Sequence, residues 1–81
     1  MAWTYILKGS NGRHYIGSTS NLDRRLKEHW RGETHSTRRL GNQLQVIASH
    51  QFPTIQEARK TELMLKAKKN PRLAIYYLSK M

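Results

Sequence analysis

Tyr15-Ile16-Gly17-Ser18-Thr19-Ser20-Asn21-Leu22-Asp23-Arg24-Arg25 passes directly from a strand into a helix. Ser18 to Asn21 is cap chemistry, and Asn21 can close the N-terminus of a helix running to about Arg31, where Gly32 stops it. At about 100° per residue, Leu22, Leu26 and Trp30 form one apolar stripe. Arg25 and His29 stand beside that stripe, one turn apart. Arg24, Lys27, Glu28 and Arg31 fall on the far, wet side.

Upstream, Trp3 to Lys8 is rich in β-formers, and Gly9-Ser10-Asn11-Gly12 separates it from the run at Arg13 to Gly17. Asn-Gly is a hairpin signal because both residues accept positive φ, so the two runs should pair antiparallel, with Tyr5 and Tyr15 on neighbouring strands. Downstream, Glu33 to Asn42 reads as a polar, basic loop. Leu44, Val46, Ala48, His50 and Phe52 then alternate as a third strand would, ended by Pro53. Thr54-Ile55-Gln56-Glu57 is a capping box opening a second helix to about Lys69. Asn70-Pro71 can start a last helix, whose Leu73, Ile75, Tyr76, Tyr77 and Leu78 suggest packing on the rest. The order β-β-α-β-α-α predicts an α+β domain: a three-stranded antiparallel sheet flanked by helices.

With 81 residues, the chain has room for one domain, 1–81, with a modest core. There is no Cys, which removes disulfides and thiolate chemistry and fits a reducing cytoplasm. The N-terminus lacks the basic and apolar regions of a signal peptide, and no apolar run could span a membrane. A soluble, cytoplasmic protein is expected. Fifteen Lys and Arg face five acids, a formal net charge of +10. Such a field attracts polyanions, so nucleic acid is the first partner to consider. An ordinary basic domain or an RNA-binding accessory protein would share that charge.

Glu62 is the most informative single residue. Ile55, Ala58 and Leu65 define the buried stripe of the second helix, and Glu62 falls in its middle, where an acid is costly unless paired or bound to metal. A salt bridge to a nearby Arg or Lys, or a place at the edge of a short stripe, would also account for it. Arg25, on a core-flanking face, could clamp a phosphate bidentately. His29 has no second His at a useful spacing, so zinc does not fit. One carboxylate plus water suits Mg2+ or Mn2+, a single ion. Tyr5 and Tyr15 could be ordinary strand aromatics.

The stretch Tyr15 to Arg25, followed by Leu26-Lys27-Glu28-His29, closely resembles the second half of the GIY-YIG nuclease signature. Trp3-Thr4-Tyr5 stands where that family writes Gly-Ile-Tyr, and Glu57 to Glu62 resembles its helix with the metal-binding Glu. The chain looks most like the small stand-alone members. The resemblance implies a metal-dependent endonuclease that hydrolyses phosphodiester bonds of DNA. It implies catalytic roles for Tyr5, Tyr15, Arg25, His29 and Glu62, with the metal on Glu62. Tyr5 is assigned as the base and Tyr15 as the alternative. Where many members carry a supporting Asn after the Glu helix, this chain has Ala74. A catalytically silent nucleic-acid-binding domain on the same fold is therefore the rival reading.

Phosphate contacts are expected from Arg38 and Arg39, with Thr37 adding a hydroxyl, and from Arg24, Arg31, Arg59 and Lys66. With little basic sequence outside the domain, recognition of a DNA structure (branched, nicked or single-stranded), or help from a partner protein, is expected rather than sequence-specific reading.

Overall fold

Strand β1 (Ala2–Gly9) returns as β2 (His14–Thr19) through a turn in which only Gly12 takes a positive φ, +83°. The computed structural model describes residues 1–31 and 44–81. Gly12 N donates to Gly9 O at 3.0 Å, and Gly9 N donates to Arg13 O at 2.9 Å. The hairpin is therefore one residue wider than the two-residue Asn-Gly turn, with the left-handed residue at its end. Asn11 does not use positive φ; its Oδ1 instead accepts from Arg13 N at 3.0 Å.

The third strand, β3 (Leu44–Phe52), pairs antiparallel with the other edge of β1, giving the order β2-β1-β3. The central place of β1 explains why Thr4, Tyr5, Ile6 and Leu7 are all fully buried. Ile6 pairs with Ala48 but Leu7 with Val46, so Ile47 is left without a cross-strand partner. This bulge breaks the strict alternation expected from Leu44 to Phe52, and Ile47 packs against the core.

Successive residues of β1 point to opposite faces. Thr4 and Ile6 face α2 (Ile55–Ala67) and α3 (Pro71–Lys80). Thr4 Oγ1 donates to Ala58 O at 2.7 Å, and Ile6 packs with Leu65, Ala74 and Leu78. Each large aliphatic side chain buried there contributes about 1.5–3 kcal/mol. Tyr5 points the other way, to His29 of α1 (Leu22–Trp30). The architecture is α+β, with three strands and three helices among the described residues in the order β-β-α-β-α-α.

The expected caps form. Asn21, Thr54 and Asn70 accept from Arg24 N, from Glu57 N, and from Arg72 N and Leu73 N respectively. The helical faces differ from the expected ones in three places. On α1, His29 is the buried residue and Trp30 is 55% exposed. Trp30 reaches over the sheet edge, where its Nε1 donates to Leu44 O at 3.2 Å. Glu28, expected on the wet side, is half-buried against Arg25. On α3, Ala74 and Leu78 are buried and Ile75 packs on the core, but Leu73, Tyr76 and Tyr77 remain exposed. The two tyrosine rings lie 5.7 Å apart, with Lys80 over one and Lys68 over the other.

Candidate active site

The hairpin register decides what the two tyrosines can do. Tyr5 lies opposite Gly17, and Tyr15 lies opposite Leu7, so both rings stand on one face, diagonal neighbours with centroids 6.3 Å apart. Gly17 is the space they share. A Cβ there would lie 2.6 Å from the Tyr5 hydroxyl oxygen and 2.9 Å from the Tyr15 ring. Glycine at this position is thus required by close approach, while its φ is ordinary.

Helix α1 brings His29 into the same cluster. Its ring centroid lies 5.8 Å from that of Tyr5 and 5.2 Å from that of Tyr15. The Tyr5 hydroxyl and His29 Nε2 are 2.8 Å apart in a buried hydrogen bond. Burial, aided by the charge of Arg25 and opposed by Glu28, pushes the His29 pKa down to about 4. At neutral pH the imidazole is uncharged, and with its proton on Nδ1 it accepts from Tyr5. Burial raises the Tyr5 pKa well above its ordinary value, and neighbouring Tyr15 adds to this. Arg25 acts in the opposite sense and Glu62 in the same sense, so both charges reach this hydroxyl.

One helical turn before His29, Arg25 is half-buried and pairs with Glu28 Oε1 at 3.5 Å. Burial opposes its charge, but its contacts with the hydroxyls of Tyr5 and Tyr15 and with Glu28 win, and its pKa is raised. The guanidinium therefore sits between the tyrosine pair and the outside.

Glu62 approaches from the opposite layer. The buried residues of α2 are Ala58, Thr61 and Leu65, so Thr61 takes the mid-stripe place and Glu62 lies at its margin, 17% exposed. That corrects the expectation of a central position: the helix is rotated so that Glu62 points along the β2 edge. Ser18 Oγ donates to Glu62 Oε1, and Lys66 Nζ, one turn on, lies 2.6 Å from Oε2. A hydroxyl and an ammonium thus already cover the two carboxylate oxygens.

The structure therefore clusters Tyr5, Tyr15, Arg25 and His29 on one face of the β1–β2 pair and sets Glu62, from the other layer, within electrostatic reach of the Tyr5 hydroxyl, the five being drawn from four separate elements. Arg24 is exposed on α1 and Arg31 is exposed at its C-cap, both away from the His29 face. Arg59 and Lys66 are exposed on α2, one turn on either side of Glu62. Thr37, Arg38 and Arg39 lie outside the described residues. Ala74 is buried in the core beside Leu65 and Leu78, and Asn70 is engaged as a cap. Sequence reasoning did not single out Ser18 as a partner of Glu62, Gly17 as the tyrosines' shared space or Glu28 as the partner of Arg25. The hairpin pairing alone could have found Gly17, since it sets Tyr5 opposite it.

The family model for the GIY-YIG catalytic domain matches residues 1–74. The chain belongs to the GIY-YIG family. It is 38% identical over 68 residues to a UPF0213 protein of Xanthomonas campestris, covering 84% of this chain and 67% of the relative. A UPF0213 protein of Streptococcus pneumoniae is 34% identical over 71 residues, covering 88% and 72%. The solution NMR structure of a UPF0213 protein from Bacillus halodurans superimposes with a TM-score of 0.51 at 32% identity, over 83% of this chain and 72% of that one. GIY-YIG membership places the chain in a nuclease superfamily whose substrates are nucleic acids. In this GIY-YIG domain the two signature tyrosines meet over Gly17, and the signature Arg and Glu flank them from α1 and α2. No described helix is long and apolar enough to cross a membrane.

Proposed function

We propose that the protein is a divalent-metal-dependent endonuclease that hydrolyses phosphodiester bonds of DNA and selects DNA structure rather than sequence. One observation carries this reading. A single hydroxyl, that of Tyr5, is hydrogen-bonded to His29 and lies within the electrostatic reach of Tyr15, Arg25 and Glu62. A domain that only bound nucleic acid would have no need to gather a buried neutral imidazole, two phenols, a guanidinium and a carboxylate at one place.

The residues fit one divalent ion at Glu62. The carboxylate is mostly covered yet reachable, and the ammonium of Lys66 already occupies a cation's place on Oε2. Among the described residues no cluster of three or more His, Cys, Asp or Glu side chains gathers, which suits an ion kept largely hydrated, Mg2+ or Mn2+. Such an ion, when bound, would supply charge stabilisation to the phosphate and the leaving oxygen. Arg25 would hold a non-bridging phosphate oxygen through its outward N–H groups and offset charge building there. Of the two phenols, Tyr5 is completely buried with a raised pKa, which favours Tyr15, partly exposed and in contact with Arg25, as the base over the Tyr5 expected from the resemblance. In this assignment Tyr15 acts in its phenolate form, held beside the Arg25 guanidinium, and takes the proton of the attacking water to become a phenol. Tyr5, tied to His29, fixes the position of Arg25 and Tyr15. The rival reading, a silent binding domain, draws only on the missing Asn at Ala74. Since Ala74 is a core residue, Ser18 takes over as the neutral hydrogen-bonding support of Glu62.

The test is incubation with branched, nicked, single-stranded and linear duplex DNA, with Mg2+ or Mn2+, beside Glu62→Ala. Cleavage should be metal-dependent and fall by about 10^3-fold or more in the variant, as expected for several kcal/mol of lost stabilisation. Binding without cleavage by the wild type on every substrate would establish the silent domain instead.

A further inference from the structure

Beside the candidate active site, the β2 edge and the α2–α3 turn enclose an open cleft of about 530 Å³. Its rim carries Arg13 and His14 from the hairpin and Lys66 and Lys69 from α2 and the turn after it, and Tyr15 forms part of its wall. Its floor is apolar, supplied by Ile16 and Leu65. No acidic side chain lines it among the described residues. Like charges gathered around an apolar floor repel one another unless an anion is to be placed among them.

The backbone adds an independent sign. Lys69 has φ +52°, the only left-handed non-glycine among the described residues. It follows the last turn of α2, where Lys69 N donates to Lys66 O at 3.2 Å, a place usually held by Gly or Asn. A lysine there carries a conformational cost that glycine would not, and such costs gather at functional positions. The turn carries the Lys69 side chain on the cleft rim.

We infer that this cleft holds a nucleotide of the substrate strand next to the scissile phosphate, with its phosphate on Arg13, Lys66 and Lys69 and its base against the apolar floor. The inference rests on the nuclease reading of the neighbouring site and specifies where the flanking strand runs. Spacing supports it: Lys66 lies one helical turn, about 6 Å, from Glu62. The cleft therefore begins within one helical turn of the carboxylate, close enough to receive a nucleotide flanking the reacting phosphate. A pocket of this size combining apolar floor and cationic rim suits one nucleotide with an unstacked base. That chemistry favours a single-stranded or frayed strand over an intact duplex. Lys66 stands at the junction, able to leave Glu62 for the strand's phosphate when a metal ion takes its place on the carboxylate.

The experiment measures binding of a short single-stranded oligothymidylate by fluorescence anisotropy, with chelator present so that nothing is cut. Amide chemical shifts are followed in parallel. Arg13→Ala with Lys69→Ala should weaken binding roughly tenfold and reduce the salt slope by about 1 to 2. In the wild type, oligothymidylate should shift the amides of Arg13 to Tyr15 and Lys66 to Asn70. Lys69→Gly separates the charge from the fold: it should raise the thermal midpoint by relieving the left-handed lysine while still weakening binding. Unchanged affinity in both variants, or shifts confined to other surfaces, would overturn the cleft. If Glu62→Ala abolishes cleavage but the double variant binds and cuts like wild type, the cleft alone falls. Cleavage by Glu62→Ala at the wild-type rate would remove Glu62 from the site and with it the cleft's place beside the reacting phosphate, whereas no cleavage by the wild type on any substrate would remove the nuclease reading itself.

Discussion

The two halves of the candidate site are built from opposite materials. The tyrosine half is dry: Tyr5 and His29 are buried, neutral at pH 7 and locked by one hydrogen bond over Gly17. The glutamate half is wet: Glu62 lies at a helix margin, and its ammonium partner Lys66 is half in solvent. A buried neutral pair tolerates little rearrangement, because any lost hydrogen bond leaves an unsatisfied polar group. An exposed ion pair is worth little and exchanges readily. In the proposed mechanism the dry half sets geometry, and the wet half is where a metal ion and a strand would enter without unfolding anything.

That contrast can be broken first at the tyrosines. If Tyr15 is the base, Tyr15→Phe should lower kcat by about 10^2 to 10^4-fold with the fold unchanged. Tyr5→Phe keeps the ring over Gly17 and should lose less. A larger loss of kcat in Tyr5→Phe than in Tyr15→Phe, both folded, would restore Tyr5 as the base.

The dry half should also announce itself in the pH dependence of stability. The His29 pKa is held down to about 4 from an ordinary value of 6.5. Above 6.5 both folded and unfolded states are neutral there, and the contribution is fully present. As pH falls from 6.5 toward 4, the unfolded chain takes up the proton first and stability declines, by up to about 3 kcal/mol. Denaturant titrations across that range should show the decline, and His29→Gln should flatten it. A flat profile in the wild type would mean that His29 is not held neutral.

A gentler probe is Gly17→Ala. Its added methyl would collide with the Tyr5 hydroxyl and the Tyr15 ring, so one of them must move, at a cost of about 1–3 kcal/mol. Thermal unfolding reads this directly. The smallest effect belongs to the wet half: Lys66→Met should change stability by less than about 1 kcal/mol. It should also strengthen Mn2+ binding by freeing Glu62, as calorimetry would detect. A large loss of stability in Lys66→Met would show that the wet half is structural after all.

Most of the fold was legible because its signals are local. Asn21, Thr54 and Asn70 announce helix starts through side-chain oxygens that reach the first turn, and each does so. Helical spacing beside apolar stripes singles out Arg25, His29 and Glu62 as candidates, and that signal survives small errors of rotation. What was not legible depends on contacts distant in sequence. Ile47 joins the core only because a bulge opposite Leu7 shifts the third strand, and nothing local marks it. Thr61 rather than Glu62 takes the middle of the α2 stripe because the sheet, not the helix, selects the buried face. Trp30 looked like core by spacing, yet it bonds a strand-end carbonyl at the surface instead. The burial of Tyr5, on which our proposal of Tyr15 as the base rests, follows from β1 being the central strand, and strand order is not written in any one segment.

The claim that Glu62 is the metal end of a site completed by the tyrosine pair is most directly tested by paramagnetic broadening. Trace Mn2+ added to labelled protein should broaden resonances around Glu62 and Ser18 first, then those of Tyr15, Arg25 and Tyr5, and Glu62→Gln should abolish the pattern. Broadening centred elsewhere, or identical in Glu62→Gln, would contradict the account.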